Sequence, residues 1–531
     1  MISASAHELT RRTRALVALG SGVVFATTSP PIDLHAGVLL GLAGFAVALG
    51  GVGPDRLRQG FFYGGCFGLG ANLVALRFVP EVILRFTSLP AAAAYLALVL
   101  LAAAQALPWA LGGLVTHLLA RRFIALPVAL AFAIGIYVAT FLPAIFPWTP
   151  AGGLTPWPAL VQIAEVVGER GVSFLVALAA GLAAHAVERA RTESRRAALG
   201  PGALAAAVLA VMLIYGVVRM AAVERLRAAA PHVRVALVQP GFEASDRWAG
   251  DRAEMMIERL TMLTKGAELR GTDLTVWPES AYPYTISHAA RHSPGGMRAV
   301  LHDGVQGPVL TGVYLQGAKR LGYNSAILAT RDGKLSAPYD KRHLLWFGET
   351  VPMADTFPWL RETFAKGTGL VPGTESVVFE TGPIRAAVLS CYEDTLSEAG
   401  REAMEKAPNL LVNITNDAWF AGSAEGELHL RLAVLRAVET RRDLVRAVNR
   451  GPTSFVEATG RVRARYDLDI PGTLATSPAL LTMPPTFFVR FGDVPLLVLL
   501  LAAVLRHKTP RASLPAGKDA QQSNGKRSTA P

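Results

Sequence analysis

The chain has 531 residues, 51% of them hydrophobic and only 17% charged, with a formal net charge of +12 at pH 7. Globular chains carry about a quarter charged residues, so this composition excludes an ordinary soluble protein. The Lys and Arg excess sits in short clusters beside apolar spans and in the C-terminal tail, a distribution that orients a membrane protein and argues against nucleic acid as a partner.

Apolar stretches of bilayer-spanning length, about 20 residues each, recur near 13–30, 33–51, 60–80, 90–118, 123–145, 172–188 and 200–219, with an eighth near 487–505. The first is followed at once by another span and has no convincing small-residue cleavage site, so it does not read as a cleavable leader. Basic residues fall in alternate connections: Arg11, Arg12 and Arg14; Arg56 and Arg58; Arg121 and Arg122; Arg189, Arg191, Arg195 and Arg196; Arg506, His507 and Lys508. Arg77, Arg85 and Arg170 are the exceptions on the other side. The pattern predicts cytoplasmic N- and C-termini and a globular segment on the outer side, delivered by seven spans. Between spans five and six, a Pro-rich stretch with Trp148 and Trp157 reads as an interfacial aromatic belt, or else as a re-entrant segment near a lipid crevice. The expected division is 1–220 transmembrane, 221–485 globular, 486–506 the last span and 507–531 a disordered tail rich in Ser, Pro and Lys.

In the globular segment, VRVALVQP, DLTVWPE, PVLTGVYLQ, NSAILAT, IRAAVLSCYE and NLLVNITND read as strands. GDRAEMMIERLTMLTKGAEL and ELHLRLAVLRAVETRRDLVRAV read as amphipathic helices, and the alternation predicts an α/β layered domain.

The chain has two cysteines. Cys66 lies inside an apolar span and reads as a packing residue, which leaves Cys391 as an unpaired thiol in a domain outside the cytoplasm. A cysteine ending an apolar strand is most often core, but Cys391 is followed by Tyr392, Glu393 and Asp394, polar where a core strand stays apolar. Its functional reading is a thiolate nucleophile. Glu279, in VWPES at a strand's end, reads either as a solvated loop carboxylate or as a general base. Lys341 lies beside Arg342 and His343, which is either a solvated basic face or an ammonium placed where an oxyanion forms. Glu349, eight residues on, can pair with Lys341 or support the base.

Together, Glu, Lys and Cys in this order resemble the nitrilase superfamily. WPES, YNS at Tyr323 to Ser325, YDKRHL with FGE and VP, CYE, NITNDAWF, the helix that follows and FFVRFGD extend the resemblance to the apolipoprotein N-acyltransferase family over nearly the whole chain except its tail. The fold so implied is a multi-pass α-helical membrane domain of about eight transmembrane helices plus an α-β-β-α sandwich. The resemblance implies Glu279 as general base, Lys341 as oxyanion stabiliser and Cys391 as the nucleophile that carries an acyl chain as a thioester. It also implies supporting roles for Glu349, Tyr392 and Glu393, and Trp248 on a loop over the site. The acyl donor so implied is a membrane phospholipid such as phosphatidylethanolamine. The acceptor is the α-amine of a diacylated apolipoprotein, in a bacterial inner membrane with the catalytic domain on the periplasmic side. No metal or other cofactor is implied. The chain departs from the family pattern at Gly241, Ala244, Trp346, Thr350 and Ala421, and lacks a Gly-Pro pair before the helix, whereas His429 keeps its place. Two other readings compete: a membrane-tethered amidase in which water resolves the acyl-enzyme, and a non-catalytic lipid-binding scaffold or transporter. His35, His117 and Arg77 are isolated near span ends, which weakens the transporter.

Overall fold

The computed structural model describes residues 9–50, 57–122, 127–246, 251–318, 321–346, 348–351, 356–357, 359 and 369–506. The N-terminal half is helical: α1 (Arg11–Ala26), α2 (Gly37–Leu49), α3 (Leu57–Ala75), α4 (Val79–Phe86), α5 (Ala91–Gln105), α6 (Leu107–Arg122), α7 (Val128–Ala139), α8 (Pro158–Val161), α9 (Ala164–Thr192) and α10 (Arg195–Ala229). Every expected span falls on one or more helices. By length and composition, the 32-residue stretch Ala91–Arg122, the 29-residue α9 and the 35-residue α10 can cross a membrane. A fourth joins them if α3 and α4, bent by 52°, count together. The other helices are shorter because prolines and glycines cut the apolar runs. Pro127 precedes α7, Pro143 follows it, and the last span is split at Gly492, whose φ is +58°, into α14 (Phe487–Phe491) and α15 (Val494–Arg506). Trp148 is partly buried against the bundle: its indole donates to Asn72 Oδ1 at 3.3 Å and its ring lies 4.7 Å from Phe25.

The second half forms two sheets. One runs β13-β1-β2-β4-β5-β6, with β3 paired to β4; the other runs β12-β11-β10-β9-β8-β7. The strands are β1 (Val235–Gln239), β2 (Leu274–Val276), β3 (Ile286–Ser287), β4 (Val309–Gln316), β5 (Gly322–Ala329), β6 (Tyr339–Asp340), β7 (Val378–Thr381), β8 (Ile384–Ser390), β9 (Leu410–Thr415), β10 (Leu444–Val448), β11 (Thr453–Val456), β12 (Val462–Tyr466) and β13 (Gly472–Thr476). Central strands read as unbroken apolar runs because both faces are buried. In β8, Ala386 and Val388 join the core between the sheets, while Ala387 and Leu389 turn outward to α12 (Ser397–Ala403) and α13 (Glu425–Thr440). On the other sheet, Val238, Val309 and Val313 pack outward with Met256, Ile257 and Leu260 of α11 (Ala253–Glu268). The result is the α-β-β-α sandwich.

Two expectations fail around α13. The run RRDLVRAV does not continue the helix: Arg441 is left-handed at φ +53° and ends it, and Leu444–Val448 forms β10, parallel to β9. The β-branched valines fit the slot beside β9, which local periodicity does not show. Nor has α13 a solvent face. Leu430, Ala433, Val434 and Ala437 pack on the sandwich, whereas Leu432, Leu435 and Val438 belong to the core of the helical half. A helix apolar on both sides is buried on both.

Candidate active site

β8 ends at Ser390, and the chain turns sharply into the 3-10 segment Cys391–Thr395 with Cys391 at φ +49°. That region is costly for any residue with a Cβ and marks a turn held by its surroundings. Ser390 and Glu393 close the turn as a capping box. The thiol of Cys391 is partly buried and sits beside Thr415 at the end of β9. Burial and the Glu279 carboxylate push its proton affinity well above that of a free thiol, against the opposing pull of Lys341.

Glu279 follows β2 and Lys341 follows β6. The Lys341 ammonium, 1% exposed, donates to Glu279 Oε1 at 3.2 Å and pairs with Glu349 Oε2 at 2.8 Å. Burial alone would make that ammonium shed its proton, but the two carboxylates outweigh burial and hold it well above the lysine range. Asn324 of β5 donates to both carboxylates, at 2.7 Å each, and Glu349 also accepts from Leu345 N at 2.9 Å. Burial works against the Glu349 anion, yet Lys341 and these donors hold its carboxyl below the usual range. Ser390 Oγ lies 3.4 Å from Glu279 Oε1, tying the Cys391 turn to the same carboxylate.

Glu393 faces away from the thiol. Its Oε2 accepts from Ser390 N and the Tyr339 hydroxyl at 2.8 Å each, and its Oε1 accepts from Arg342 N at 2.7 Å and His343 N at 3.1 Å. It therefore clamps the Lys341 loop to the Cys391 turn. Tyr392 points the other way, into a cavity of about 270 Å³ between the sandwich and the helices, lined also by Asn72, Gln105, Trp148, Arg170 and Glu398. Trp248 and Phe347 lie outside the described residues. Among the departures from the family pattern, Gly241 has φ +65° and its N–H reaches Asn449 O at 3.1 Å, a conformation that suits glycine, and Ala421 O accepts from Arg85 at 3.1 Å.

The roles of Asn324 and Thr415 are not evident from sequence; the available signal is a buried polar side chain in a largely apolar strand. Gly312 of β4 is a further residue whose role local sequence does not mark. A Cβ there would lie 2.5 Å from Ser280 N and 2.6 Å from Glu279 Cα, so only glycine lets the Pro278–Ser280 segment cross the strand. Gly312→Ala is expected to destabilise the protein by about 1–3 kcal/mol through this overpacking, read as a lowered unfolding midpoint. An unchanged midpoint would show that the segment yields freely.

Asp417, Glu425 and His429 place possible metal-ligating atoms within 4.8 Å of one another. Arg446 already donates to Asp417 Oδ2 at 3.2 Å, so the group is an ion network with its own cations.

An α-β-β-α sandwich of the carbon-nitrogen hydrolase class, packed on a bundle of apolar helices, is the class of protein these observations define. The sequence profile described as carbon-nitrogen hydrolase matches residues 234–477, and that of the apolipoprotein N-acyltransferase N-terminal domain matches residues 21–182. The apolipoprotein N-acyltransferase of Geobacter metallireducens is 31% identical over 489 residues, 90% of this chain and 92% of the relative. That of Allorhizobium ampelinum is 30% identical over 500 residues, 89% and 91% of the two chains. Among solved structures, a variant of the Nesterenkonia AN1 amidase of the nitrilase superfamily covers 51% of this chain and 98% of its own, with 18% identity and a TM-score of 0.35. The chain belongs to the apolipoprotein N-acyltransferase family and is an acyltransferase.

Proposed function

We propose that this enzyme moves an acyl chain from a membrane phospholipid such as phosphatidylethanolamine, through a thioester on Cys391, to the α-amino group of the N-terminal S-diacylglyceryl-cysteine of apolipoproteins. The observation that carries the reading is the juxtaposition of a partly buried thiol on a strained turn with a buried ammonium held between two carboxylates. Glu279 takes the thiol proton as sulfur attacks the ester carbonyl, and Lys341 faces the oxyanion. The carbon–oxygen bond breaks and the lysophospholipid leaves with the proton. The acceptor amine then attacks the thioester, its proton passes to Glu279, and an amide and the free thiol result. Glu349 supports the lysine, Glu393 positions its loop, and Tyr392 lines the route from the helices.

Exposed apolar residues along α10, among them Leu204, Val211, Ile214, Val217 and Val218, support a lipid-facing helix. Its 35 residues span about 52 Å, more than the roughly 30 Å of a hydrocarbon core. With the alternating basic connections, this supports an eight-span arrangement in a bacterial inner membrane, both termini cytoplasmic and residues 221–485 on the periplasmic side.

Intact-protein mass spectrometry after incubation with phosphatidylethanolamine tests the reading. One added acyl chain is expected on the wild type and none on Cys391→Ala, with discharge by a diacylated lipopeptide and not by water. Equal discharge by water would make the enzyme a hydrolase, and no adduct on the wild type would refute the thioester.

A further inference from the structure

The left-handed Cys391 needs support on the side away from Glu393, and a charged cluster with no part in the transfer steps supplies it. His429, on α13, places Nε2 3.3 Å from the Cys391 carbonyl oxygen and 2.7 Å from Asp394 Oδ1, a residue of the same turn. Its Nδ1 lies 3.3 Å from Asp417 Oδ1, on the turn after β9, and 3.9 Å from Glu425 Oε1 on its own helix. From β10, Arg446 closes the cluster at 3.4 Å from Asp394 Oδ2 and 3.2 Å from Asp417 Oδ2. The side chains of His429, Asp394, Asp417 and Arg446 are at most 4% exposed. An imidazole with a carboxylate against each nitrogen carries both protons, because the neutral ring would aim a lone pair at an anion. Two carboxylates then balance two cations, and Glu425 completes the group in its protonated form. Burial and the Asp417 anion push the Glu425 carboxyl up to about 8, in keeping with that balance.

We propose that His429 is a positioning residue for the nucleophile: as an imidazolium it ties the Cys391 carbonyl and the Asp394 carboxylate to α13, fixing the turn from which the thiol reaches Glu279 and Lys341. The inference rests on Cys391 as the acyl-carrying residue. Without the ring, the Cys391 carbonyl and the Asp394 carboxylate lose this anchor, and a displacement of about 1 Å at a reacting atom costs on the order of 100-fold in rate. His429 is not among the residues that line the cavity, so the loss falls mainly on the rate and not on donor affinity.

The test uses the full-length protein in detergent with phosphatidylethanolamine, following thioester formation in a single turnover by intact mass. His429→Gln is expected to form the adduct about 100-fold more slowly, with the half-saturating donor concentration unchanged. The double variant Asp417→Asn, Glu425→Gln keeps the His429–Asp394 contact but removes the anion at Nδ1 together with the neighbouring carboxyl that would ionise in its place. Its rate relative to wild type is expected to fall about tenfold between pH 6 and pH 9, as the imidazole (ordinary pKa near 6.5) sheds a proton. A wild-type rate in His429→Gln, or a loss confined to donor affinity, would overturn the assignment. If His429→Gln fails to fold, the double variant decides: a relative rate independent of pH overturns it. A wild type that forms no adduct refutes the thioester itself and is recognised as such, because Cys391→Ala then looks the same.

Discussion

Lys341→Met is expected to slow phospholipid-dependent acyl transfer by about 100- to 1,000-fold, the usual cost of removing a donor from a developing oxyanion. The methionine keeps the volume of the buried stem, so packing is largely preserved. What is lost is the charge that Glu279 and Glu349 share at 3.2 and 2.8 Å. Both carboxylates also bond the same Asn324 amide, so without the ammonium they face one another as like charges, and one of them takes up a proton. In the proposed mechanism the variant thus loses the oxyanion partner and weakens the base together, and the two losses are not additive. Lys341→Arg is no remedy, because a planar fork does not fit a point-charge site. Single-turnover thioester formation at saturating phospholipid measures the effect. A rate within tenfold of wild type would remove Lys341 from the chemistry.

Arg441→Ala is expected to cost about 3–5 kcal/mol of stability, the range for a buried ion pair stripped of one partner. Arg441 is fully buried where α13 ends. Its Nε meets Glu165 Oε2 at 2.8 Å, its Nη1 donates to Gln162 Oε1 at 2.7 Å and Ala458 O at 2.8 Å, and its Nη2 donates to Gln162 O at 3.1 Å. Glu165 keeps Arg219 and Tyr215, each at 2.5 Å, but the two carbonyls and the Gln162 amide lose their donor in a buried setting. Denaturant titration of the detergent-solubilised protein measures the loss, and a change below about 1 kcal/mol would mean that water replaces the guanidinium.

Much of this was legible from residues alone, because the signals were local. The apolar runs of β1, β4, β8 and β9 announced buried strands, and polar residues after Ser390 announced the turn. What was illegible depended on contacts distant in sequence. Leu444–Val448 extends the helical pattern of α13 and becomes a strand only because Leu410–Thr415 offers it a parallel edge. Glu393 stands two residues from the thiol, yet its carboxylate is drawn away by N–H groups some fifty residues upstream. The lower faces of α13 carry Arg431, Arg436 and Glu439, which read as a wet surface; Arg436 instead meets Glu169 of α9 at 2.8 Å. In the helical half, turns and prolines divide several apolar runs of spanning size into shorter helices, a division that length alone does not show.

The double burial of α13 has a further consequence. α9 breaks at Gly168, where φ is +69°, and the N–H of Glu169 freed by that break is taken by Glu439 of α13 at 2.8 Å. Burial lifts the Glu439 carboxyl to about 7, a value that a group in water would not hold. A sandwich excised from its helices would present Leu432, Leu435 and Val438 to solvent, along with charges whose counterions stayed behind. Such a fragment is expected to aggregate through this bared apolar face, and clipping the chain between α10 and β1 is expected to nick the protein without releasing a part. The catalytic half is held to the helices by a shared interior, so the two halves denature as one body.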